Sequence, residues 1–308
     1  MANVTVIIPT WKAIPWLDRQ LKALAMQSLQ ATHVIVIDSG SADGTAELAR
    51  QRGCTVEIIA QKDFDHGGTR NRGATLAGAA DVLCFLTQDA LPADRHFLAR
   101  LAEPVLAGRV AATYARQLPY PNASPIEQFI RGWNYPELSE ERGQEALTER
   151  GVRACFFSNV ASLVRAEDFR AVGCFPERTV MNEDMVLCAR LLRSGRRVAY
   201  VADATVFHSH DYSLRQHLGR YIDIGAFFSR FGDLVPAGGA SGEGLRMVRA
   251  LIAHLRVIGR DDVVPQAVAE TAAKFIGWQL GRHERWMPSA IKCRLGMHHQ
   301  FWARDSIQ

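Results

Sequence analysis

Five short runs near the start of the chain are apolar at almost every position: residues 4–8, 34–37, 56–59, 82–86 and 110–114. A strand facing solvent on one side alternates apolar and polar residues. A strand that is apolar throughout must be covered on both faces of its sheet. Amphipathic stretches at 16–26, 45–50, 69–77 and 95–106 separate the runs and read as the covering helices. This alternation predicts an α/β fold, with a mostly parallel sheet flanked by helices.

The chain has 308 residues, 48% hydrophobic and 22% charged, the composition of a soluble globular protein. No apolar run approaches the roughly 18 residues of a membrane span. The opening Met1-Ala2-Asn3-Val4 has no basic segment, and its apolar run stops at Pro9, so it reads as a first strand rather than a signal peptide. The six cysteines form no CxxC pair and several sit in apolar runs. They read as reduced thiols of a cytoplasmic protein.

Three prolines make residues 119–125 irregular. A short helix is expected at 126–133, then a polar stretch at 137–153, then buried residues from Phe156 to Val164. Asn182 reads as the cap of a helix that runs to about Arg193 and stops at Gly195. Two short strands follow, at 198–201 and 205–207, and beyond His210 the pattern is helical. The glycine-rich stretch 232–244 reads as a linker. Leu245, Val248, Ile252 and Leu255 share one helical face, and Arg249, Arg256 and Arg260 share another. The expected divisions are a domain at 1–212, with halves 1–118 and 119–212, and a helical C-terminal region at 213–308.

In an open α/β sheet, ligands bind at the carboxyl ends of the strands. The residues falling there are Pro9-Thr10-Trp11, Asp38-Ser39-Gly40, Asp65-His66-Gly67-Gly68-Thr69-Arg70, and Gln88-Asp89. Four successive strand ends with carboxylates, glycines or an arginine predict a pocket for a polar, anionic ligand. The chain has no G-x-G-x-x-G after the first strand, no P-loop signature and no G-x-S-x-G elbow. A classical dinucleotide fold is therefore disfavoured and a P-loop NTPase excluded, and the chain lacks a nucleophile elbow.

The segments "VTVIIPTWK", "VIVIDSGSADGT", "GGTRNRGATLAGAADVLCFLTQDALP" and "MNEDMVLCARLLRSG", in this order over residues 4–210, resemble glycosyltransferase family 2. The loop "FDHGGTRN" and the ending "LTQDALP" are most similar to its bacterial rhamnosyltransferase branch. The resemblance implies a GT-A fold, with a Rossmann-like, mostly parallel sheet and a helical C-terminal extension. It also implies an inverting, nucleotide-sugar-dependent transferase of surface polysaccharide (O-antigen type) assembly, with dTDP-rhamnose as donor.

The resemblance places Pro9, Thr10, Asp38, Asp65, His66, Gly67, Arg70, Gln88 and Asp89 around the nucleotide sugar. Asp38 would accept hydrogen bonds from the base or ribose, or form a turn beside Ser39-Gly40. Gly67 would let backbone N–H groups approach a phosphate at a helix start, with Arg70 adding charge. The family closes its fourth strand with two or more carboxylates that hold the ribose and a divalent ion. Here Gln88 stands in place of one, leaving Asp89. Asp89 with the diphosphate would still suffice for Mg²⁺, and His208 or His210 as a further ligand would favour Mn²⁺. Alternatively, the histidines end a strand in a polar network.

Asp184, with Glu183 as alternate, takes the family's general-base position, unless the pair only complements its helix dipole. Trp133 and Tyr135 would meet the acceptor, or pack in the core. From Gly244 onward ten Lys/Arg face five Asp/Glu, a net +5 against +4 for the whole chain, so the rest is close to neutral. That basic tail suits an acidic partner surface, anionic lipid or nucleic acid, or is a solvated helical face. With the resemblance, the expected partner is anionic lipid on the inner face of the plasma membrane, where a polyprenyl-diphosphate-linked glycan acceptor would lie, and not nucleic acid. Two other readings are a family member using UDP or GDP sugars and a non-catalytic nucleotide-sugar-binding scaffold. A nucleotidyltransferase is disfavoured, because Thr10-Trp11-Lys12 stands where its glycine-rich loop would be.

Overall fold

The computed structural model describes residues 2–235 and 240–305. One nine-stranded sheet comprises β1 (Val4–Thr10), β2 (His33–Asp38), β3 (Thr55–Ile58), β4 (Val82–Leu86), β5 (Leu91–Pro92), β6 (Ala112–Leu118), β7 (Glu140–Arg142), β8 (Ala161–Arg165) and β9 (Val198–Phe207). The strand order is β3-β2-β1-β4-β8-β6-β9-β5, with β7 also on β9. The first four strands pair in parallel. Beyond β4 the sheet is mixed: β8 runs antiparallel to both β4 and β6, while β6 and β9 are parallel.

The helices are α1 (Ile14–Ala25), α2 (Thr45–Gln51), α3 (His66–Leu76), α4 (Phe97–Leu106), α5 (Pro125–Asn134), α6 (Ala146–Arg150), α7 (Ala166–Ala171), α8 (Glu183–Arg193), α9 (Leu214–Phe231), α10 (Ala240–Val257), α11 (Val264–Arg282), α12 (Ser289–Leu295) and α13 (His299–Asp305). All seven residues of β1 and all five of β4 are buried. Ile7 joins one core with Phe85, Phe169 and Leu187. Its neighbours Val6 and Ile8 join the opposite core with Leu17 and Phe97. The sheet is thus covered on both faces, as its unbroken apolar runs require.

Local departures from expectation have simple causes. The strand expected at 110–114 is β6 and begins at Ala112. The two strands expected at 198–201 and 205–207 are one strand. Its pairing jumps from Ala115↔Val201 to Arg116↔Thr205, so a bulge at 202–204 separates them. Asn182 does precede α8, but its side chain makes no capping bond; its left-handed φ of 60° turns the chain into the helix. The linker expected at 232–244 is interrupted: residues 236–239 lie outside the described residues, and α10 already begins at Ala240.

In the C-terminal region, α9 and α11 lie close together. A Cβ on Gly281 would come 2.0 Å from the Ile222 carbonyl oxygen, so only glycine permits this approach. The apolar face of α10 differs from the expected one. Leu251 and Leu255 are buried against Ile126 and Ala267, while Leu245 is exposed. That face packs on α5 and is not free for a bilayer. Among the described residues, no helix is long and apolar enough to cross a membrane.

Candidate active site

The ends of β1 and β4, the loop after β2 and the start of α3 open into one cavity of about 450 Å³. Pro9, Thr10, Asp65, His66, Arg70 and Gln88 line it, so most residues expected around a donor share one space. Five lining residues each hold a buried polar atom without a hydrogen-bond partner: Ser39 Oγ, His66 Nε2, Arg70 Nε, Thr87 Oγ1 and Thr179 Oγ1. Folded interiors leave few such atoms, so five around one cavity suit a ligand rich in donors and acceptors. Burial, then the nearby His298 and Arg70, hold the His66 pKa well below the usual range, and its ring is neutral.

Two expected contacts act from behind the wall instead. Asp38 is fully buried. Its carboxylate accepts from Thr10 Oγ1 at 2.9 Å, Ser41 N at 2.7 Å and Ser41 Oγ at 2.8 Å. It therefore shapes the pocket by tying β1 to the loop after β2. Gly67 faces Pro176, not the cavity: a Cβ there would lie 1.9 Å from the Pro176 carbonyl oxygen. The helix also starts three residues earlier than expected, at His66, and Asp65 caps it by accepting from Gly68 N at 2.7 Å. A carboxylate of the protein thus already occupies the helix end that was expected to receive a phosphate. Burial raises the Asp65 pKa despite this bond.

Gln88 explains how a single carboxylate is left at the mouth of β4. Its Oε1 accepts from Trp11 N at 2.8 Å and its Nε2 donates to Trp11 O at 3.2 Å. The amide clamps the ends of β1 and β4 together, a task needing both a donor and an acceptor. Asp89 turns the other way. Its Oδ2 lies 3.1 Å from His210 Nε2 and 3.5 Å from His208 Nε2. Burial alone would raise the Asp89 pKa, but contact with the two histidines outweighs it and holds the group well below the usual carboxylate range.

The Asp89, His208 and His210 ligand atoms all lie within 4.8 Å of one another. His208 Nδ1 lies 3.0 Å from Gln117 Oε1, an acceptor, so Nδ1 carries the proton and Nε2 keeps its lone pair. Burial pushes the His208 pKa down to about 4 despite the attraction of Asp89, which leaves the ring neutral at pH 7. One carboxylate and two imidazoles fit a divalent transition ion such as Mn²⁺.

At the start of α8 the two acids divide their roles. Glu183 Oε1 accepts from Asn159 Nδ2 at 2.9 Å and lies 3.2 Å from Arg70 Nη1 in a buried ion pair. Among the described residues, Asp184 has no ion-pair partner of its own. It accepts from the backbone N–H groups of Asn159 at 3.0 Å and Met185 at 2.8 Å. Burial first and the charge of Glu183 second push the Asp184 carboxyl up to about 7. A carboxylate that takes up a proton near neutral pH is suited to general-base work.

Residues 2–220 match the family model described as "Glycosyltransferase like family 2". The chain belongs to that family. It is 36% identical to the O-antigen chain rhamnosyltransferase RfbN of Salmonella typhimurium, over 97% of this chain and 96% of that protein. It is 34% identical to the O-antigen chain rhamnosyltransferase WbaN of Salmonella anatum, over 98% and 96% of the two chains. Among solved structures it resembles a mannosyltransferase from Pyrobaculum calidifontis in complex with GDP-Man and Mn²⁺. The TM-score is 0.64 and the identity 15%, over 92% of this chain and 88% of that one. That likeness shows the shared GT-A fold.

Within this glycosyltransferase, the two aromatic residues expected at the acceptor part company. Tyr135 is buried among Phe156 and Tyr200, and its hydroxyl accepts from Gln117 Nε2 at 2.5 Å. It supports the residue that orients His208 and is not an acceptor platform. Trp133 is half-buried and stacked on Phe129. Arg220 of α9 was not anticipated. It lies over the Tyr212 ring, has no ion-pair partner among the described residues, and its charge reaches His66 and Tyr135. Also unanticipated are Met297, His298, His299, Gln300, Phe301 and Arg304, which line the same cavity as Arg70 from beyond α12. The only signal was the run "GMHHQFWARD", which matches no motif.

Proposed function

We propose that this glycosyltransferase transfers rhamnose, with inversion, from dTDP-rhamnose to a hydroxyl of a glycan or polyprenyl-diphosphate-linked acceptor in surface polysaccharide assembly. The observation that carries the donor sugar is the near-full-length similarity to two O-antigen chain rhamnosyltransferases. The nucleoside diphosphate occupies the cavity lined by Thr10, Ser39 and Arg70. Asp184 accepts the proton of the attacking hydroxyl, with Asn159 N–H and Met185 N–H fixing its oxygens. Glu183 is held by Arg70 and raises the basicity of its neighbour. Asp89, His208 and His210 would hold a divalent cation, which when bound neutralises charge on the leaving diphosphate.

A lipid-linked acceptor would bring the enzyme to a membrane surface. The exposed Phe275 and Ile276 of α11, with Trp286 beside Arg285, suit such contact better than α10 does. Flotation with anionic phosphatidylglycerol vesicles checks this, and no flotation removes the membrane part.

The donor reading is tested by incubating the enzyme with dTDP-rhamnose, UDP sugars and GDP sugars, in Mg²⁺, Mn²⁺ or EDTA, and following melting temperature and nucleotide release. Bound ligand raises the melting temperature by mass action. The expected result is the largest shift with dTDP-rhamnose, lost in EDTA. A larger shift with a UDP or GDP sugar overturns the donor assignment. Binding without any release, even with candidate acceptors, favours the scaffold reading.

A further inference from the structure

The donor cavity has two walls of different origin. One is the strand-end wall of residues 9–88, with Thr179 and Val180 beside it. The other is the segment 297–304, far beyond residue 220, where the family match ends. Arg304 Nη2 donates to the Phe64 carbonyl at 2.7 Å, joining positions 240 residues apart. The His298 ring meets the His66 ring edge-on, with centroids 4.9 Å apart.

The segment is firmly latched. Asp223 of α9 is fully buried and its carboxylate accepts from Met297 N at 3.0 Å, His298 N at 2.9 Å, His298 Nδ1 at 2.8 Å and Trp302 Nε1 at 2.8 Å. Trp302 is fully buried, with Arg230 and Lys292 over its ring. Because Nδ1 of His298 donates to Asp223, its remaining ring nitrogen is available to a ligand.

A segment serving only to close the core would need Asp223, Phe301 and Trp302. It would not need His299 and Gln300, which are exposed yet line the same cavity as Arg70, and it would use only one nitrogen of the Arg304 guanidinium, which also lines that cavity. The strand-end wall supplies the buried, unpartnered Ser39 Oγ, His66 Nε2 and Arg70 Nε. The C-terminal wall supplies a guanidinium and two imidazoles across the same space. A polyanion with a polar base satisfies both.

We infer that the C-terminal segment 297–304 is the second half of the donor site, with Arg304 and His299 contacting the nucleoside diphosphate. The inference rests on the donor reading above. It makes the helical region more than an appendage: the domain at 1–212 holds only one wall of the pocket.

The test measures affinity of the full-length protein for dTDP, UDP and GDP by calorimetry, for wild type, His299→Ala, Arg304→Ala and Arg304→Lys. Each alanine variant is expected to weaken the best-bound nucleotide by about tenfold or more. Arg304→Lys should recover part of the loss, because it keeps the charge without the fork geometry. The nucleotide-free melting temperature should fall only slightly, by what the bonds of Arg304 to the Phe64 carbonyl and of His299 to the Cys293 carbonyl contribute, which separates lost contact from lost fold. If both alanine variants bind as wild type does, the second wall is refuted while the donor reading stands. If wild type binds none of the three nucleotides, the donor reading itself fails and takes this inference with it.

Discussion

Asp89 at the mouth of β4 and Asp184 at the start of α8 are both largely withdrawn from water, yet they ionise in opposite directions. For both, burial is the largest influence and pushes the pKa up. At Asp89 two histidine contacts overcome it, and the carboxylate stays charged. At Asp184 the nearest charge is another carboxylate, Glu183, and the group rises to about 7. Burial sets how much a neighbour matters; the neighbour sets the sign. One sheet thereby presents a permanent anion suited to a cation and a titrating anion suited to a proton.

The largest expected effect comes from removing the titrating member. Asp184→Asn should lower kcat by about 10²–10⁴ while nucleotide affinity is retained. In wild type the rate should rise with pH through about 7, as Asp184 loses its proton. Stability runs the other way. The folded state keeps a proton there that the unfolded chain releases near pH 4, so stability is lost as pH rises from about 4 to about 7. The asparagine variant escapes that loss. Its melting temperature relative to wild type should be higher at pH 8 than at pH 4, and no change in the difference would sink the assignment.

Next is the permanent anion. Asp89→Asn removes the only carboxylate of the cluster, and Mn²⁺ affinity read by electron paramagnetic resonance should fall at least about tenfold. Retained affinity would place the ion elsewhere. A smaller effect probes the cause of the contrast itself. Glu183→Gln removes the like charge beside Asp184 and leaves the Arg70 cation in place. The midpoint of the pH–rate profile should move to lower pH, by about one unit.

What was legible in the chain follows the range of the forces involved. The parallel half could be read because β1 and β4 are buried on both faces and so carry no polar residues on a solvent side. Asp184, Asp89 and the two histidines could be read from family resemblance, and the structure brings the last three into one cluster. Gly67 and Asp38 misled because a glycine or an acid at a strand end suits both packing and binding. Only the Pro176 carbonyl and the Ser41 hydroxyl, partners fixed by folding, decide between them. The C-terminal wall was unreadable for a stronger reason. It reaches the cavity through Asp223 and the close crossing of α9 and α11, neither of which has a local pattern.

Gln88 is the finest test of the contrast, because it stands where the family places another carboxylate. Were it a weakened metal ligand, restoring the acid would strengthen ion binding. Its two bonds to Trp11 say otherwise: the amide is occupied, donor and acceptor alike. Gln88→Glu keeps the length and the acceptor but loses the donor, setting a carboxylate oxygen against the Trp11 carbonyl. The expected cost is about 1 kcal/mol of stability, read in denaturant, with Mn²⁺ affinity unchanged. A gain in affinity would show that the clamp opens readily and that the cation site extends to both residues at the mouth of β4. An unchanged affinity with the small loss of stability would leave Asp89 as the sole carboxylate of that site.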